Sequence, residues 1–370
     1  MTHTNVAVVG GGLAGLCAAR RLRAAAIDFV LIEARDRLGG RILTVDETGA
    51  PSVDGFDLGP SWYWPHTQPA LAALIAELGL AAFAQHSDGD VIFERMSRET
   101  AHRYHGAPQA PQSMRLVGGS AALVHALARD LPNERLMLGA RVKEVALTDV
   151  GVELSIVRAD GSTSSLAFTH VIAALPPRLL EATMTFVPAL PQSTARRWRD
   201  TPTWMAPHAK FLARYDRPFW RDAELSGTAQ SMVGPMTEIH DATTASGAAA
   251  LFGFIGVDAE RRAALGEATL TRACLEQLAR IFGAEARSPR ATLIKDWAAD
   301  PLTATASDRA ASGHPAPQSD AWITAPWSER LALGGSETSA SEPGYLAGAV
   351  AAAERAVTEL LGQGVGPLTT

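Results

Sequence analysis

The sequence of 370 residues predicts an α/β fold, in which a Rossmann-like domain with a ββα unit is interleaved with an α+β domain. Three observations support this prediction. The chain opens with an apolar run, a glycine turn, a helical segment and a second apolar run, all within 6–33. Another strand runs into a glycine turn and a helix at 331–361. Strands separated by Pro-rich and Gly-rich turns occupy 187–288, where we expect an antiparallel sheet flanked by helices.

The first turn is suited to binding a phosphate group. It reads Gly10-Gly11-Gly12-Leu13-Ala14-Gly15, between the strand at 6–9 and a helix predicted over 13–26. Gly10 allows the tight turn, Gly12 has no Cβ to keep an anion away, and Gly15 lets the helix pack close to the strand. The helix then directs its unpaired N–H groups and the positive end of its dipole at the anion.

An acidic residue follows the second strand at the spacing expected for a nucleotide. Glu33 comes eighteen residues after Gly15, where its carboxylate can accept hydrogen bonds from a ribose diol. A glycine turn alone is weak support, because such turns are common. Here strand, helix, second strand and acid occur in order, so the segment predicts a dinucleotide site but does not distinguish NAD from FAD.

The residues after Glu33 distinguish the two cofactors. The run Glu33-Ala34-Arg35-Asp36-Arg37-Leu38-Gly39-Gly40-Arg41 resembles the flavin amine oxidase family, which contains monoamine, polyamine and L-amino acid oxidases and lysine-specific histone demethylases. The resemblance implies FAD, with Arg35 and Arg41 at its pyrophosphate and ribityl region and with Ala34, Gly39 and Gly40 beside it. Arginine can pair phosphate oxygens bidentately, which agrees with this interpretation; the alternative is a solvated cationic loop.

Composition and charge exclude several classes of partner. The net charge is -6 and the isoelectric point about 5.9, with no basic run, which argues against nucleic acid. Cys17 and Cys274 fall in predicted helices and indicate neither a disulfide framework nor a metal site. We expect no signal peptide before the first strand, no membrane span and no C-terminal anchor around 364–367. The expectation is therefore a soluble, cytoplasmic protein.

The middle of the chain is expected to alternate between the two domains. We assign 1–60, 116–190 and 290–370 to the FAD domain, and 61–115 and 191–289 to the substrate-binding domain. We expect a helical, aromatic-rich stretch at 62–115, a hairpin of strands 150–157 and 165–168, a buried strand at 171–175, a helix at 267–282 and an irregular loop at 299–320. By resemblance, the backbone of Val142 pairs with the adenine.

A second cofactor segment lies near the end of the chain. Leu331-Ala332-Leu333-Gly334-Gly335-Ser336-Glu337-Thr338 and Gly344-Tyr345-Leu346-Ala347-Gly348-Ala349 resemble the late motif of the family almost residue for residue. The resemblance assigns Gly335, Glu337, Tyr345 and Leu346 to FAD binding, with Glu337 at the ribityl or pyrophosphate region. A helix starting at Gly344 would direct its positive dipole end at the flavin pyrimidine. By composition alone, this segment could be any packed helix.

Lys210 is the first candidate for a role beyond cofactor binding. It lies in a predicted strand, 208–215, that is followed by Arg217-Pro218-Phe219-Trp220. In the family, a strand lysine before a similar Phe-Trp pair holds a water at flavin N5 and helps dioxygen react with the reduced flavin. A buried cation suits that step, because dioxygen reduction builds negative charge. The alternative is an ordinary surface lysine.

Aromatic residues are the candidates for an amine-binding surface. The family places an aromatic pair in front of the flavin, and Tyr345 supplies one member by resemblance. The other is missing: Trp297, which the resemblance places near Lys210 and the flavin, is followed by 298–304 without the Gly-Gly-Cys-Tyr run of monoamine oxidases. Noncovalent FAD is therefore expected. Trp62 or Trp64 is a candidate for the missing wall, although the aromatic run at 62–64 could equally be structural.

These features together predict an FAD-dependent amine oxidase that uses Lys210, Tyr345 and Trp297 as catalytic residues. Its substrates would be a small amine and dioxygen, with hydride transfer to flavin N5, hydrolysis of the imine to a carbonyl compound, and release of hydrogen peroxide. Two alternatives stay open: an FAD oxidoreductase, such as a desaturase or a renalase-like enzyme, that acts on a non-amine substrate, and a flavin-binding module without turnover. The identity of the amine and the oligomeric state do not follow from the sequence.

Overall fold

The structure is a computed structural model that describes residues 4–96, 99–106, 110–310, 313–363 and 365. The chain folds into two compact units. Unit 1 comprises the described residues within 1–41, 123–204 and 312–370, and unit 2 those within 42–122 and 205–311. Both units are therefore assembled from separate stretches of the chain. No helix in the described ranges has the length and apolar character needed to cross a bilayer.

Strands and helices follow one another in the described part of the chain, often with several strands in a row. The strands are β1 (Thr4–Val9), β2 (Phe29–Ile32), β3 (Thr44–Val45), β4 (Phe56–Asp57), β5 (Ala82–Ala84), β6 (Asp90–Glu94), β7 (His102–Tyr104), β8 (Met114–Leu116), β9 (Leu136–Met137), β10 (Ala140–Thr148), β11 (Gly151–Arg158), β12 (Thr163–Ala173), β13 (Thr185–Val187), β14 (Ala209–Arg214), β15 (Leu225–Ser231), β16 (Met236–Asp241), β17 (Ala250–Ile255), β18 (Ala291–Asp296) and β19 (Leu331–Leu333). The helices are α1 (Leu13–Ala24), α2 (Pro69–Glu77), α3 (Ala121–Arg129), α4 (Pro177–Thr183), α5 (Gln192–Asp200), α6 (Phe219–Asp222), α7 (Ala259–Leu265), α8 (Glu267–Phe282), α9 (Ala306–Ala310) and α10 (Leu346–Gly362).

Unit 1 is built on a mixed sheet whose central strands are parallel. β1 pairs in parallel with β2 and β12, β2 with β9, and β12 with β19. The hairpin β11–β12 and the pair β10–β11 extend the sheet in antiparallel fashion. The predicted hairpin is thus present, but the two predicted strands at 165–168 and 171–175 form the single strand β12. This strand is continuous because its first half pairs with β11 and its second half with β1.

Two long helices pack on the parallel part of this sheet. α1 contacts β1 and β2, α10 contacts β12 and β19, and the two helices contact each other. α1 ends at Ala24, two residues before the predicted end, and Ala26 takes a left-handed φ of +55°. α10 begins at Leu346, with Tyr345 as its N-cap, and not at Gly344. Gly12 therefore lies immediately before α1, whereas Tyr345 separates Gly344 from α10.

Unit 2 is built on a second sheet in the order β18-β14-β17-β16-β15-β6-β7. Its pairs are antiparallel, as expected, except that β6 joins β15 in parallel. α8 spans the predicted residues 267–282, and its Cys274, Leu278, Ile281 and Phe282 pack into the buried core of this unit. The α+β character of the second domain agrees with the prediction.

Two stretches differ from the expectation. The described residues of the stretch at 62–115 form one helix, α2, and the strands β5 to β8, because these short strands pair with partners distant in sequence or with each other. The irregular loop predicted at 299–320 contains the short helix α9.

The boundaries of the units also differ from the predicted domain boundaries. Val45, Phe56 and Leu58 pack against Leu212 and Phe252, which puts 42–60 in unit 2. β18 pairs with β14 and belongs to the same unit, whereas α5 belongs to unit 1. The division of labour between a cofactor domain and a substrate domain stays a prediction.

Candidate active site

The glycine turn of unit 1 is tightly packed at Gly10 and Gly15 and less crowded at Gly12. Gly10 has a φ of +108°, and a Cβ on Gly15 would lie 1.8 Å from the Gly10 carbonyl oxygen. α1 therefore starts in direct contact with the turn, as the sequence predicts. At Gly12, in contrast, the nearest atom to an added Cβ is the Gly39 oxygen at 3.9 Å. A Cβ at Gly12 would thus make only ordinary van der Waals contacts within the protein, and the contact of Gly12 with a pyrophosphate stays a prediction.

The start of α1 provides the matching electrostatics. Gly12 is its N-cap, no described side chain caps the helix, and its first turn contains no acidic residue. Free N–H groups at the positive end of a helix dipole bind anions. The residues of this turn, including Leu13 and Ala14, therefore fit the diphosphate of a dinucleotide.

Glu33 makes an additional set of bonds that the sequence did not predict. Its carboxylate is buried and accepts hydrogen bonds from the backbone N–H of Gly11 at 2.6 Å and of Arg35 at 2.8 Å. Glu33 thus connects the glycine turn to the end of β2. Ala34 lies between Glu33 and Arg35 in the chain. Its predicted bond to a ribose stays a prediction.

The Gly39–Gly40 loop closes onto the same turn. The Gly39 N–H donates to the Gly11 carbonyl at 2.8 Å, and a Cβ on Gly40 would lie 3.3 Å from the Gly12 Cα. Arg37, to which sequence reasoning gave no role, holds this loop by donating to the carbonyls of Leu38 and Gly40. The contact of Arg35 with phosphate stays a prediction.

Arg41 and Glu337 meet although 295 residues separate them. The Glu337 side chain is fully buried, and Arg41 Nη1 lies 2.7 Å from its Oε1 while Nη2 donates to Oε2 at 3.2 Å. Arg41 also donates to the Trp204 carbonyl at 2.8 Å and to Ser336 Oγ at 3.1 Å. Within the described chain, Oε1 has no hydrogen bond of good geometry. A buried acceptor of this kind suits a ribityl hydroxyl or a similar donor.

The late segment offers a second open helix start. A Cβ on Gly335 would lie 2.2 Å from the Leu175 carbonyl, so this glycine is needed for close approach of the chain. Tyr345 is the N-cap of α10 and Leu346 its first residue, and again neither a described side-chain cap nor a first-turn acid is present. The Tyr345 side chain is 37% exposed. The uncapped dipole fits the predicted position next to an anionic flavin.

Val142 lies in β10 with its side chain 2% exposed in the core of unit 1. Its backbone pairs with Ile156 of β11, whereas β13 joins the other edge of β10 only from Glu144 onwards. A register shift follows directly, between Val142 and Glu144. The adenine contact of Val142 stays a prediction.

Lys210 is buried in unit 2, which excludes the alternative of a surface lysine. The side chain is 3% exposed, and Nζ donates to the carbonyls of Asp57 and Gly59 and to Ser61 Oγ, each at 2.9 Å. Nζ also lies 4.1 Å from the ring centre of Phe252. Burial lowers the pKa of Lys210 to about 7, against the attraction of Asp57. The ammonium group has three N–H donors, and all three are used, so a water that accepts a hydrogen bond from Nζ would have to replace one of these three oxygens.

Trp297 and Trp62 lie at the same loop. Trp297 is buried and donates from Nε1 to the Leu58 carbonyl at 3.0 Å, between the two carbonyls that bind Lys210. Trp62 is half-buried, and its ring packs on Phe252 at 5.4 Å and on His240 at 4.8 Å. Lys210 and Trp297 thus both bind the loop at 57–61, and Trp62 follows directly after it. Trp64 is half-buried two residues further on, and its lining role stays a prediction.

Sequence reasoning missed the residues that surround Lys210 and Tyr345. Phe252, Phe254 and His240 share the sheet face of Lys210, as the register of β14, β17 and β16 requires. The alternation of aromatic residues in β17 is a signal that could have indicated them. Trp204 and His314 lie beside Tyr345 in unit 1, and no motif marks either residue.

Comparisons with known proteins show the family and the fold to which the chain is similar. A family model described as flavin containing amine oxidoreductase matches residues 13–113 and 106–361. The chain is 26% identical to a Mycobacterium tuberculosis protein assigned as the flavin-containing monoamine oxidase AofH, over 96% of each chain. It is 25% identical to an L-amino acid dehydrogenase of Synechocystis, over 78% of this chain and 80% of that protein. A putrescine oxidase structure with putrescine bound superposes with a TM-score of 0.80 at 21% identity, covering 97% and 99% of the two chains.

The fold and the family match together define the class of the protein as a flavin-dependent oxidoreductase. The chain belongs to the flavin-containing amine oxidoreductase family, since the family model spans most of its length. The predictions of the fold class, of an oxidoreductase and of FAD as its cofactor are confirmed. The family acts on amines, so the coarse prediction of amine oxidation is confirmed as well.

Proposed function

We propose that this chain oxidises a small amine and passes the electrons to dioxygen. The observation that carries the proposal is the buried Lys210, whose Nζ is held at 2.9 Å by three oxygens of the loop at 57–61. Burying a charged group away from solvent costs free energy, and buried ionisable groups with shifted pKa values are common at functional sites. The family and the neighbouring aromatic residues favour an amine as the substrate.

The reaction balances as amine, dioxygen and water giving a carbonyl compound, ammonia or a shorter amine, and hydrogen peroxide. The flavin, when bound, accepts a hydride from the carbon that bears the nitrogen. The resulting iminium is hydrolysed by water. The protein has to bind the neutral amine, orient its carbon and exclude competing water.

Aromatic side chains would do most of the orienting. Tyr345 presents a partly exposed ring at the start of α10, and Trp62 presents a half-buried ring on the face that carries Lys210. Aromatic faces bind the apolar body of an amine and attract any cationic form of it by about 0.5 to 2 kcal/mol. We propose that these two residues and Trp64 line the substrate site.

Lys210 would serve the step with dioxygen. Negative charge develops when dioxygen is reduced, and a desolvated ammonium stabilises it more strongly than a hydrated one. With a pKa of about 7, Lys210 is partly protonated at neutral pH and can also release its proton. Trp297 would act as a positioning residue, because it fixes Leu58 between the carbonyls that bind Lys210.

We further propose that FAD is bound without a covalent link. Cys17 and Cys274 are buried inside helices, and burial raises the pKa of each thiol to about 12, which keeps it in the unreactive protonated form. Glu33, Arg35, Arg41, Val142 and Glu337 are the proposed polar and backbone contacts of the cofactor. Acid precipitation should therefore release all of the flavin into the supernatant; flavin that stays with the protein would refute this assignment.

A peroxide-coupled screen of amines, polyamines and amino acids on the purified yellow protein tests the function. Lys210→Met should bleach normally with an active amine under anaerobic conditions and should reoxidise about a hundredfold more slowly. Lys295→Met is the matched control, since Lys295 is the register partner of Lys210 on β18 and is 25% exposed. We expect its reoxidation to stay within about threefold of wild type. Equal reoxidation of Lys210→Met and wild type would refute the role of Lys210.

The same preparation distinguishes the alternatives. Bleaching by an amine with slow reoxidation in air but fast reoxidation by an artificial dye would indicate a dehydrogenase, the activity in the name of the Synechocystis relative. Bleaching by a dihydropyridine or a porphyrinogen, and by no amine, would indicate a non-amine substrate. If none of these compounds bleaches the flavin, the protein is a flavin-binding module without turnover.

A further inference from the structure

The side chain of Asp57, at the end of β4, is buried in unit 2 and held by uncharged donors. Its Oδ1 accepts hydrogen bonds from Thr44 Oγ1 at 2.6 Å, from the Ser120 N–H at 2.8 Å and from Ser120 Oγ at 2.9 Å. Gly119 has a φ of +78°, and a Cβ there would lie 2.9 Å from Oδ1. Oδ2 is also buried, and no described group donates a hydrogen bond to it. These contacts fix the carboxylate without neutralising its charge.

Lys210 lies close to this carboxylate because it binds the main chain of the same residue. Nζ donates to the Asp57 carbonyl oxygen at 2.9 Å. The carbonyl oxygen and the carboxylate carbon of one aspartate are at most about 5 Å apart, so the two charges lie within roughly 8 Å of each other. Opposite charges attract more strongly in a buried site than in water. Burial lowers the pKa of Lys210, and the charge of Asp57 acts in the opposite direction.

The charged groups on the neighbouring strands have partners of their own. Lys295 of β18 is the register partner of Lys210, and its Nζ lies 3.2 Å from Asp300 Oδ2. Glu238 of β16 occupies the same row of the sheet as Lys210, across β17, and its Oε1 lies 2.6 Å from His240 Nε2. Both carboxylates on these strands are thus engaged by a side chain other than Lys210.

Arg115 of β8 adds a second buried positive charge to this part of unit 2. Its side chain is 5% exposed and donates to the carbonyls of Thr243 at 2.8 Å and Ala242 at 3.2 Å, which carry no net charge. Burial lowers the pKa of Arg115, and the charge of Asp57 raises it. Arg115 in turn lowers the pKa of Lys210. The charge of Asp57 therefore opposes both the burial of Lys210 and its repulsion by Arg115.

We propose that the Asp57 carboxylate is the counter-charge that keeps the buried Lys210 protonated for the step with dioxygen. Asp57 acts through Lys210 and is a positioning residue. The bonds to Oδ1 hold the carboxylate in place, while the main-chain bond from Nζ keeps the ammonium beside it. The use of this charge with dioxygen rests on the proposed function, whereas the link between the two residues can be measured without turnover.

Lysine-selective NMR measures the charge of Lys210 directly. The chain has three lysines, at 143, 210 and 295, so FAD-loaded protein with carbon-13 at lysine Cε gives three signals, and Lys210→Met identifies that of Lys210. In wild type its titration midpoint should lie near the pKa of about 7. Asp57→Asn keeps an oxygen that can accept the bonds of Oδ1 but removes the charge. The midpoint should therefore fall by about one pH unit or more.

Glu94→Gln is the matched control for this titration. Glu94 is a buried carboxylate of unit 2 whose partners are Ser231 and Arg280, so its loss should leave the Lys210 midpoint within about 0.3 pH unit. Denaturant unfolding checks that each variant is folded, and Asp57→Ser is the second neutral variant if Asp57→Asn does not fold. A midpoint that stays near that of wild type in the neutral variant, or that falls equally in Glu94→Gln, would overturn the proposal.

Reoxidation after chemical reduction tests the use of the charge and needs no amine. Lys210 is mostly protonated in both proteins at about pH 5, so Asp57→Asn should reoxidise within about twofold of wild type there and about tenfold more slowly at about pH 8. An equal loss at both pH values would mean that Asp57 only supports the fold. The expected midpoints with normal reoxidation of Lys210→Met would refute the proposed role of Lys210 alone. Slow reoxidation of Lys210→Met with an unmoved midpoint in Asp57→Asn would refute the role of Asp57 alone.

Discussion

The two units keep their functional residues in place by different physical means. Unit 1 relies on the main chain. The Gly10–Gly15 turn can pack closely because glycine has no Cβ, and the backbone N–H groups at the starts of α1 and α10 are not capped by a described side chain. Unit 2 relies on one side chain, Lys210, whose properties depend on burial and on three oxygens from a distant loop. Adding a single atom should therefore disrupt the first unit, whereas changing a charge should disrupt the second.

The largest effect is expected at Gly15. A Cβ there would lie 1.8 Å from the Gly10 carbonyl oxygen and 3.0 Å from its carbon, and backbone atoms cannot move aside as a flexible side chain can. Gly15→Ala should lower the free energy of unfolding by more than about 3 kcal/mol, because overpacking against backbone is not relieved by a rotamer change. Denaturant unfolding followed by circular dichroism measures this. Gly362→Ala, where no described atom lies within 4 Å, is the control, and equal midpoints for both variants would contradict the account.

A second glycine in the same turn separates folding from cofactor binding. At Gly12 the nearest atom to an added Cβ is 3.9 Å away, so Gly12→Ala should fold with a stability within about 1 kcal/mol of wild type. The methyl group would instead occupy the space of the pyrophosphate and weaken FAD binding about ten- to a hundredfold. Titration of the apoprotein with FAD checks this. Unchanged FAD affinity would mean that the cofactor does not approach Gly12.

Much of unit 1 could be predicted because its signals are local in sequence. Gly10, Gly12 and Gly15 lie within six residues, and the apolar residues of β1 and most of those of β2 are buried. The hydrogen bond that the Gly11 N–H donates to Glu33 was not predictable, because it depends on how β1 and β2 are placed side by side. The ion pair between Arg41 and Glu337 was not predictable either, because it depends on the tertiary arrangement of two segments that are far apart in sequence.

Unit 2 could be predicted only in outline. The stretch at 62–115 was predicted to be helical and aromatic-rich. Its residues 90–94 instead form β6, a strand that pairs with β15, more than 130 residues later. Lys210 was named by its resemblance, whereas its three oxygen partners come from a turn about 150 residues earlier. No sequence motif marked Trp204 or His314, because residues far apart in sequence can be in contact without forming a pattern of regular spacing.

The charge of Lys210 should give unit 2 a pH dependence that unit 1 does not share. Burial lowers its pKa from 10.5 to about 7. Below about pH 7 the lysine is protonated in both states, whereas between about 7 and 10.5 the unfolded chain holds a proton that the folded protein has lost. The free energy of unfolding should therefore rise with pH in that window, by up to about 1.4 kcal/mol per pH unit relative to Lys210→Met.

Urea unfolding of wild type and Lys210→Met at several pH values between about 6 and 10 measures this difference directly. The comparison cancels other titrating groups, provided that they are unaffected by the substitution. A difference that is flat across the window would mean that Lys210 stays charged when it is buried. The loss of the ammonium above about pH 7 should also slow reoxidation by dioxygen in wild type and not in Lys210→Met.

The smallest effect is expected at Trp297, and it connects stability to function in unit 2. Trp297→Phe keeps most of the buried ring but leaves the Leu58 carbonyl without its donor, which should cost about 1 to 2 kcal/mol. Trp198→Phe is the matched control in unit 1, because the fully buried Trp198 donates from Nε1 to the Trp322 carbonyl at 2.9 Å. Both variants should lose similar stability in denaturant unfolding.

Reoxidation by dioxygen should distinguish the two variants. Leu58 lies between the two carbonyls that bind Lys210, so loosening it in Trp297→Phe should slow reoxidation a few-fold, by roughly 0.5 to 1 kcal/mol of barrier. Trp198→Phe removes an equivalent bond from unit 1 and should leave the reoxidation rate unchanged. Equal rates in both variants would mean that Trp297 supports the fold of unit 2 without positioning Lys210. A slower rate in Trp297→Phe alone would mean that Trp297 positions Lys210 through the loop at 57–61.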